Sequence, residues 1–403
     1  MTPFPRKERL FTFEFIAPCL LIFLAYCNTT VFYSLEVYLG RLGIAQAWRG
    51  FLVGGSSLAT IASFLLLSPF MTTRNASRNA FAGAVLLMLC GVSYLYARST
   101  GELLAVRLAN GVGVYLLSAA AMTLMVASIP PGRSGQAFGT YSVAILLPYC
   151  VVPAAFDALH ADQASLPHGY MVMSLFLAPA LVLIPLIGRA RRRSARPAQP
   201  PRTVTPGEMF RNAARPPIGL LLFVSSLYMT AFSAVFFMSK GYFQARGLPN
   251  VGYFFAIQMA CMIAIRLFAS VIFDRVRKMR LIGLCFALTA TSCVLAALAG
   301  GWPLMCLSAV IMGTGMGLGS PAMNALMFSI SDERFKGVNS NLMTMSQQLG
   351  NFLGPMLGAL AVRDLGYSGF LNLGAAACLL ALAICAWFAG KDLDRGDPAR
   401  VRK

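Results

Sequence analysis

The chain has 403 residues, of which 58% are apolar and 12% are charged, and its formal net charge is +19. A soluble domain carries about 25% charged residues, so the composition excludes an ordinary soluble protein and indicates a membrane protein. The basic excess does not indicate a nucleic-acid partner, because its distribution follows the predicted membrane helices.

The apolar residues fall into twelve stretches, each close to the ~20 residues that a helix needs to cross a bilayer. We predict the first six helices at 15–38, 48–71, 79–97, 102–128, 135–158 and 169–188. The first stretch follows a basic start, as in a signal peptide. It is too long for one and no cleavage site of small residues follows it, so we interpret it as a membrane helix.

A basic segment at 189–216 interrupts the helices. Its eight arginines and several prolines favour an extended cytoplasmic linker, in which residues 206–214 could form a short interfacial helix. Six further helices are predicted at 217–239, 250–273, 280–299, 303–329, 336–361 and 367–389. The predicted domains are a six-helix bundle over 1–188, the linker over 189–216, and a second six-helix bundle with a cytoplasmic tail over 217–403.

The lysines and arginines are distributed unequally between the two sides of the predicted membrane. Of the 33, 25 lie in tails and loops on the side of the N-terminus, six lie in the opposite loops, and two lie within helices. Basic loops face the cytoplasm, so we expect both termini there, beside anionic lipid headgroups. The short loops suggest the inner (plasma) membrane of a bacterium, and we expect a monomer.

The two halves repeat in sequence as well as in helix count. A shift of 202 residues places glycines, prolines and other residues of helices 4 and 5 on identical residues of helices 10 and 11. The pairs are Gly111 with Gly313, Gly113 with Gly315, Ser118 with Ser320, Leu124 with Leu326, Met125 with Met327, Gly135 with Gly337, and Pro153 with Pro355. Such a parallel repeat relates two halves by an axis along the membrane normal. We therefore predict an all-α membrane protein of two pseudo-symmetric six-helix bundles.

No pattern in the sequence indicates a metal, a cofactor or an enzyme. All ten cysteines lie in apolar stretches without metal-ligand spacing, so we expect them to pack. His160, Asp162 and His168 share one loop, which we interpret as solvated. There is neither a phosphate-binding glycine loop nor a cluster of nucleophile and base. Energy would therefore come from an ion gradient or from the gradient of a substrate.

A charged segment between helices 8 and 9 has the spacing of a clamp. A carboxylate at a helix end, followed by basic residues, can pair with a neighbouring helix in one conformation only. The segment comprises Ser270, Asp274, Arg275, Arg277 and Lys278. The loop between helices 2 and 3 has two basic residues, Arg74 and Arg78, but no acid, so they are expected only to anchor topology.

Helix 4 contains an arginine close to its outer end, followed by a polar residue and two glycines: Arg107, Asn110, Gly111 and Gly113. An arginine inside a bilayer costs about 3 kcal/mol or more, so its side chain must face protein or water. The alternative is a structural arginine whose head group reaches the outer interface.

Helix 11 contains small residues at every fourth position and a proline. These are Gly350, Gly354, Pro355 and Gly358. Small residues at this spacing allow two helix backbones to touch, and a proline kinks the helix. We therefore predict a close helix contact here.

These three segments, the twelve helices and the repeat resemble the major facilitator superfamily over essentially the whole chain. The departures are Ser270 for a leading glycine, Asn110 for a glutamine, and a glycine–proline motif in helix 11, whereas antiporters of that family carry it in helix 5. The resemblance implies a transporter whose two halves move around a central substrate path, and it associates Arg107 with proton coupling.

The resemblance also implies that helices 1, 4, 7 and 10 line a central cavity. Polar side chains on these four helices are the candidate substrate ligands. They are Tyr26, Asn28, Thr30, Tyr33, Asn110, Ser118, Tyr228 and Asn324. Four glycines of helix 10, at 313, 315, 317 and 319, would either weaken that helix or admit a neighbour or a ligand.

Three ionisable residues are predicted in or near the membrane interior: Glu36, Arg107 and Arg266. Glu36 is the candidate proton carrier, because a carboxylate in a medium of low dielectric can bind a proton near neutral pH. We hypothesise that Glu36 pairs with Arg107 and that a proton disrupts the pair. Alternatively, Glu36 is a hydrated interface residue. Arg266 could contact an anionic substrate, or it could pair with Asp274 as part of a gate.

The favoured function is export of an amphipathic small molecule, either a drug or a secreted metabolite such as a siderophore, by proton antiport with alternating access. The alternative is an uptake symporter or facilitator for a small polar or anionic solute, with Arg107 and Arg266 as ligands. A membrane enzyme or a sensor is less favoured, because the longest predicted loop is the 28-residue linker and no soluble domain is present.

Overall fold

The structure is a computed structural model that describes residues 10–67, 71–129, 134–158, 166–193, 205–248, 250–268, 276–332 and 334–390. These residues form twelve long helices and a short linker helix, Pro206–Ala213. The first bundle contains α1 (Phe13–Arg41), α2 (Gln46–Leu67), α3 (Ala76–Ser93), α4 (Thr100–Val126), α5 (Ser134–Ala158) and α6 (Leu166–Ala190). The second contains α7 (Pro216–Ala245), α8 (Val251–Phe268), α9 (Lys278–Leu298), α10 (Trp302–Ile330), α11 (Lys336–Leu365) and α12 (Gly369–Gly390).

The predicted fold class is confirmed. Among the described residues, eleven helices are long and apolar enough to cross a membrane. α11 is also long, at 30 residues, but polar residues such as Asn339, Gln347 and Asn351 lower its hydropathy. The order of the helices matches the sequence prediction, although α7 continues six residues beyond its predicted end.

The middle of α1 is irregular. Residues Val31–Ser34 form a turn of 3-10 helix between two α-helical segments. A short 3-10 stretch inside a helix often marks a hinge, because its hydrogen bonds have poorer geometry than those of an α-helix. This turn places Tyr33 and Ser34 at the level where the two bundles meet.

The bundles approach each other most closely through α2 with α11 and α5 with α8. A Cβ atom built on Gly50 would lie 2.2 Å from the carbonyl oxygen of Pro355, and one on Gly252 would lie 2.7 Å from that of Pro153. Glycine allows these helices to touch backbone to backbone. The bundles are therefore closed against each other at one end, which we call the closed end. It contains residues 33–50, 153–157, 240–248, 250–252 and 355–367.

A cleft opens between the bundles towards the other end. On α1, Ile16 and Leu20 are 49% and 44% exposed, Tyr26 is half-buried, and Tyr33 is fully buried. α1 packs against α4, α5 and α6, and it meets α7 mainly through residues 31–41. On α7, Phe223 is exposed whereas residues 230–236 are buried. The helices α1 and α7 therefore separate towards this end, and we call the space between them, which ends below Tyr33, the central cleft.

The linker helix is attached to the second bundle at the end opposite the closed end. Thr205 and Glu208 form a capping box at its start, and Glu208 also accepts a bond from Arg334 at 2.6 Å. The backbone N–H of Thr205 is the main reason that the pKa of the Glu208 carboxyl is lowered, and the Thr205 hydroxyl and Arg334 lower it further. Buried Asn212 donates to buried Asn339 of α11.

Candidate functional site

Aromatic side chains from both bundles close the inner end of the cleft. Tyr149 of α5 lies at the centre, with its ring centroid 6.0 Å from that of Tyr26, 5.6 Å from that of Phe232 and 4.8 Å from that of Phe236. We call these four residues the aromatic roof. Because the rings come from α1, α5 and α7, the roof must separate if the bundles part at the closed end.

A buried ion pair lies beyond the roof and joins the bundles. Lys240 of α7 donates to Asp157 Oδ1 of α5 at 2.8 Å, and both side chains are less than 10% exposed. The Tyr33 hydroxyl donates to the same carboxylate oxygen, and the backbone N–H of Gly252 donates to Oδ2 at 3.2 Å. One carboxylate thus connects α5 to α1, α7 and α8. We call Tyr33, Asp157 and Lys240 the inter-bundle cluster.

The cluster is continuous with the aromatic roof. The Lys240 ammonium lies 4.7 Å from the centre of the Tyr33 ring, and Lys240 Nζ is 3.2 Å from the Tyr33 hydroxyl. The Tyr33 ring contacts Phe236 of the roof and Phe255 of α8. A movement of the roof would therefore be transmitted directly to the ion pair.

The predicted pair of Glu36 and Arg107 is wrong for this structure. Buried Glu36 instead accepts bonds from Arg49 at 3.4 Å and from Gln46 at 3.3 Å, both at the start of α2. α2 follows α1 after a loop of four residues, so its first turn supplies the nearest basic side chain. Both members of the Glu36–Arg49 pair belong to the first bundle.

Arg107 is buried inside the first bundle. Its guanidinium donates to the carbonyl oxygens of Leu52 and Val53 and to Ser56 Oγ, and it lies 4.8 Å from the centre of the Phe32 ring. Backbone carbonyls of α2 and an aromatic face therefore compensate its charge. The Arg107 side chain is buried in this structure, and its Nη1 has no hydrogen-bond partner among the described residues.

The polar residues predicted on α1 and α4 divide between the bundle interior and the cleft. Asn28 donates to Ser174 of α6 at 2.7 Å and accepts from Asn110 at 3.5 Å, so both asparagines face the core of the first bundle. The Thr30 hydroxyl bonds to the Tyr26 carbonyl at 2.7 Å. Ser118 is half-buried and bonds to its own helix.

Tyr228 and Arg266 lie together in the second bundle. The Tyr228 hydroxyl donates to the Met316 carbonyl at 2.9 Å, and Arg266 lies beside the Tyr228 side chain. Arg266 is half-buried and its Nε has no hydrogen-bond partner among the described residues. Asn324 of α10 is exposed. Arg266 therefore has a buried N–H donor that no described residue satisfies.

The glycines of α10 and α11 admit neighbouring helices rather than a cavity. A Cβ atom on Gly313 would lie 2.2 Å from the Gln258 carbonyl of α8, and one on Gly315 would lie 2.9 Å from Leu288 Cβ of α9. The α11 residues Gly350, Gly354 and Gly358 pack on α7, and Pro355 lies opposite Gly50 as described above.

The charged segment between α8 and α9 is described only in part. Ser270, Asp274 and Arg275 lie outside the described residues, as do His160 and Asp162. Arg277 immediately precedes α9, and Lys278 is its first residue and is buried. Within the described ranges, no group of three His, Cys, Asp or Glu side chains is arranged to hold a metal ion.

Sequence analysis missed Asp157, Lys240 and Tyr149. Lys240 lies one residue beyond the predicted end of helix 7, and Asp157 lies one residue before the predicted end of helix 5, so the predicted bounds place both at the outer ends of helices. The run Met238 to Phe243, with Tyr242 and Phe243 both buried, continues α7 past Lys240. That continuation of apolar residues was the signal for a buried lysine.

Comparison with known proteins identifies the family of this chain. The family model described as Major Facilitator Superfamily matches residues 18–282 and 248–403. A POT family transporter bound to a thioalcohol-conjugated peptide has a TM-score of 0.75 at 13% identity, over 93% of this chain and 96% of that one. A bacterial homologue of the lysosomal transporter Spinster, inward-facing and unoccupied, has a TM-score of 0.69 at 16% identity, over 97% and 98%.

A mutant of the nucleoside transporter NupG has a TM-score of 0.71 at 12% identity, over 94% of this chain and 100% of that one. No curated protein matches the sequence. At these identities the solved structures show that the chain shares their fold. The chain belongs to the Major Facilitator Superfamily.

Proposed function

We propose that the protein is a secondary active transporter that exports an amphipathic small molecule, a drug or a secreted metabolite such as a siderophore, by proton antiport with alternating access. The observation that supports this most directly is the central cleft, which is open along α1 at Ile16 and Leu20 and ends at the aromatic roof. The substrate would bind beneath the roof, and the bundles would then part at the closed end.

The basic loops support the direction of the open cleft. The start of α1, the linker helix and the start of α11 lie at the open end, and the sequence around them is rich in lysine and arginine. Basic loops face the cytoplasm, so the described state would be open to the cytoplasm with both termini there. We place the protein in the inner membrane of a bacterium and expect it to work as a monomer.

The chemistry of the roof supports an amphipathic substrate. Two of its four residues are tyrosines and two are phenylalanines, so it offers flat apolar faces together with hydroxyl groups. The nearest charged groups, Asp157 and Lys240, satisfy each other. Such a surface binds an apolar ring system with a few polar atoms better than a small, fully hydrated ion.

We retain Glu36 and Arg107 as the proposed coupling residues, with a changed partner for Glu36. Proton binding to Glu36 would release Arg49 rather than Arg107. Arg107 would act by holding α4 against the α2 carbonyls between Leu52 and Ser56. In this way α4 and the start of α2 would move together.

The test is proton flux in liposomes that contain the purified full chain. A panel of dyes, drugs and metal-chelating metabolites is added, and proton release or uptake is recorded together with substrate flux. We expect a proton signal with at least one amphipathic compound and its loss in Glu36→Gln. Asp364→Asn, which removes an exposed carboxylate of α11, serves as the control. Substrate flux without proton movement would contradict antiport.

The second candidate is uptake or facilitated transport of a small polar or anionic solute. The half-buried Arg266, whose Nε lacks a partner among the described residues, favours this function. An anionic solute should then compete with the amphipathic compound, and Arg266→Gln should abolish that competition. If Arg266→Gln leaves competition unchanged, the anionic candidate is removed.

A further inference from the structure

A polar cavity lies between the two bundles at the closed end. Its volume is about 270 Å³, which is enough for several water molecules or one small organic molecule. Both bundles contribute to its wall, and we call it the bridging cavity. The lining residues are Glu36, Val37, Gly40, Arg41 and Arg49 from α1 and α2, and Gly241, Gln244 and Tyr367 from α7 and the turn before α12.

One oxygen of a buried carboxylate in this cavity lacks a hydrogen-bond donor. Gln46 and Arg49 both donate to Glu36 Oε1. Oε2 accepts no bond from the described residues, although the Glu36 side chain is only 8% exposed. It lies across the bundle boundary from Gly241, where a Cβ atom would be 3.1 Å from Oε2. Buried carboxylate oxygens are normally hydrogen-bonded, so Oε2 is a position for an N–H donor.

An aromatic ring lies next to the same oxygen. The Cβ position built on Gly241 is 3.4 Å from Tyr367 Cε1, so the ring and Glu36 Oε2 meet beside this glycine. The missing side chain of Gly241 leaves space for a ligand atom there. A carboxylate next to an aromatic ring is suited to an ammonium group, which donates a charge-assisted hydrogen bond to the oxygen and is attracted to the ring face.

A guanidinium on the wall of the cavity has no partner among the described residues. Arg41, the last residue of α1, is exposed, whereas Arg49 already donates to Glu36 and to the Ile44 carbonyl oxygen. Two guanidiniums and one carboxylate give the lining a formal charge of +1. An anionic group beside Arg41 would balance this charge, and a guanidinium binds a carboxylate or a phosphate through two parallel hydrogen bonds.

We propose that the bridging cavity binds a small zwitterion in which a primary ammonium is joined to a carboxylate or a phosphate. The ammonium donates to Glu36 Oε2 beside Tyr367, and the anionic group pairs with Arg41. Two sources carry this chemistry, a dissolved amino compound and the headgroup of an aminophospholipid. The inference goes beyond the proposed function, because it does not depend on the substrate, the direction of transport or the coupling ion.

The bound zwitterion would stabilise the closed end. Its ammonium contacts a carboxylate of the first bundle and the Gly241–Tyr367 surface of the second, so the site is complete only while the bundles are together here. A ligand that binds one of two states shifts the equilibrium towards that state. The opening equilibrium falls by one plus the ratio of free ligand to Kd, which is about tenfold at ten times Kd.

The first experiment is isothermal titration calorimetry of the full chain in dodecyl maltoside near neutral pH. The probe is O-phosphoethanolamine. The matched probes are inorganic phosphate, which lacks the ammonium, ethanolamine, which lacks the phosphate, and phosphocholine, whose quaternary ammonium has no N–H. We expect O-phosphoethanolamine to bind at one site, about tenfold or more tightly than each matched probe, because each lacks one charge-assisted interaction.

Two variants test the two ends of the ligand. Gly241→Ala places a methyl group 3.1 Å from Glu36 Oε2 without changing any charge, so binding of O-phosphoethanolamine and ethanolamine should be lost. Arg41→Gln removes an exposed guanidinium and should reduce the affinity for O-phosphoethanolamine to that for ethanolamine. Two controls should bind as wild type: Gly101→Ala, where nothing lies within 4 Å, and Arg74→Gln, an exposed arginine at the open end.

Hydrogen–deuterium exchange of residues 250–258 tests the contact between bundles. This peptide contains Gly252, which touches the first bundle, but no residue of the bridging cavity. With O-phosphoethanolamine at ten times its Kd, exchange should be about tenfold slower. In nanodiscs without the soluble probe, slower exchange in phosphatidylethanolamine than in phosphatidylcholine identifies the lipid headgroup as the source. Equal exchange in the two lipids, with the soluble probe still binding, identifies a dissolved zwitterion.

Four outcomes would overturn the proposal. No binding of O-phosphoethanolamine, together with equal exchange in the two lipids, would show that the cavity holds only water. Equal affinity for inorganic phosphate would remove the ammonium from the proposal, and unchanged binding in Gly241→Ala would place the ligand elsewhere. Binding without slower exchange would refute the contact between bundles. These measurements use neither substrate nor gradient, so proton antiport and the zwitterion site can each fail while the other stands.

Discussion

Two of the ion pairs at the closed end contain a buried carboxylate, and they differ in what they join. Asp157–Lys240 connects α5 with α7, one helix from each bundle, whereas Glu36–Arg49 connects α1 with α2 within the first bundle. The first is enclosed, with N and O atoms 2.8 Å apart; the second is longer, at 3.4 Å, and Arg49 is partly exposed. Similar chemistry therefore has different consequences, since only the pair between bundles must break when they part.

The largest effect is expected where the bundles touch through backbone. Gly50→Ala would place a methyl group 2.2 Å from the Pro355 carbonyl oxygen and 2.7 Å from Ala359 Cβ. The closed end could then no longer form, and we expect substrate flux in liposomes to fall about tenfold or more. Gly139→Ala adds the same methyl group to α5, where nothing lies within 4 Å, and should transport normally. Equal flux in the two variants would mean that this contact is dispensable.

A contact inside the first bundle should affect stability rather than closure. Arg107→Met removes a buried guanidinium from three acceptors, and we expect a loss of about 3 kcal/mol, measured by thermal unfolding in detergent. Arg107→Lys keeps the charge but not the planar fork, so its loss should be intermediate. Hydrogen exchange at residues 250–258 should stay close to wild type. Faster exchange there would show that closure depends on the first bundle's core.

The pair within the first bundle should contribute less than the pair between bundles. Arg49→Gln weakens a longer contact in which the cation is partly exposed, and the new amide can still donate to Glu36, so we expect a smaller loss in thermal unfolding than for Lys240→Met. Lys240→Met, measured in the same way, should cost more because it leaves Asp157 buried without its cation. Equal losses would show that an ion pair between the bundles stabilises the fold no more than one within a bundle.

The smallest effect is expected at the linker helix, far from the closed end. Glu208→Gln removes a capping carboxylate and a contact with Arg334, and should lower the unfolding temperature slightly. The folded pKa of this carboxyl is lowered, so its contribution is present at neutral pH and disappears as pH falls through the folded value. The difference between wild type and variant should therefore shrink in acid. A difference that persists in strong acid would contradict this origin.

The sequence was sufficient to predict the helices, the fold class and the family. Twelve apolar stretches can be counted without knowing their neighbours, because each must satisfy its own backbone and match the bilayer thickness. The spacing of Gly350, Gly354 and Gly358 likewise predicted a close helix contact without naming the partner. α7 and α11 occupy the two sides of that contact in the structure.

What the tertiary structure decided was the pairing of the charges. By sequence, Glu36 and Arg107 were the natural pair, since both lie near the outer ends of neighbouring helices. In the folded chain Glu36 pairs with Arg49 instead, and the Arg107 guanidinium donates to backbone carbonyls of α2. Asp157 and Lys240 are 83 residues apart, and only the docking of the two bundles brings them together. Local patterns determine helices because helical hydrogen bonds are local, whereas ion pairs between helices depend on how the bundles meet.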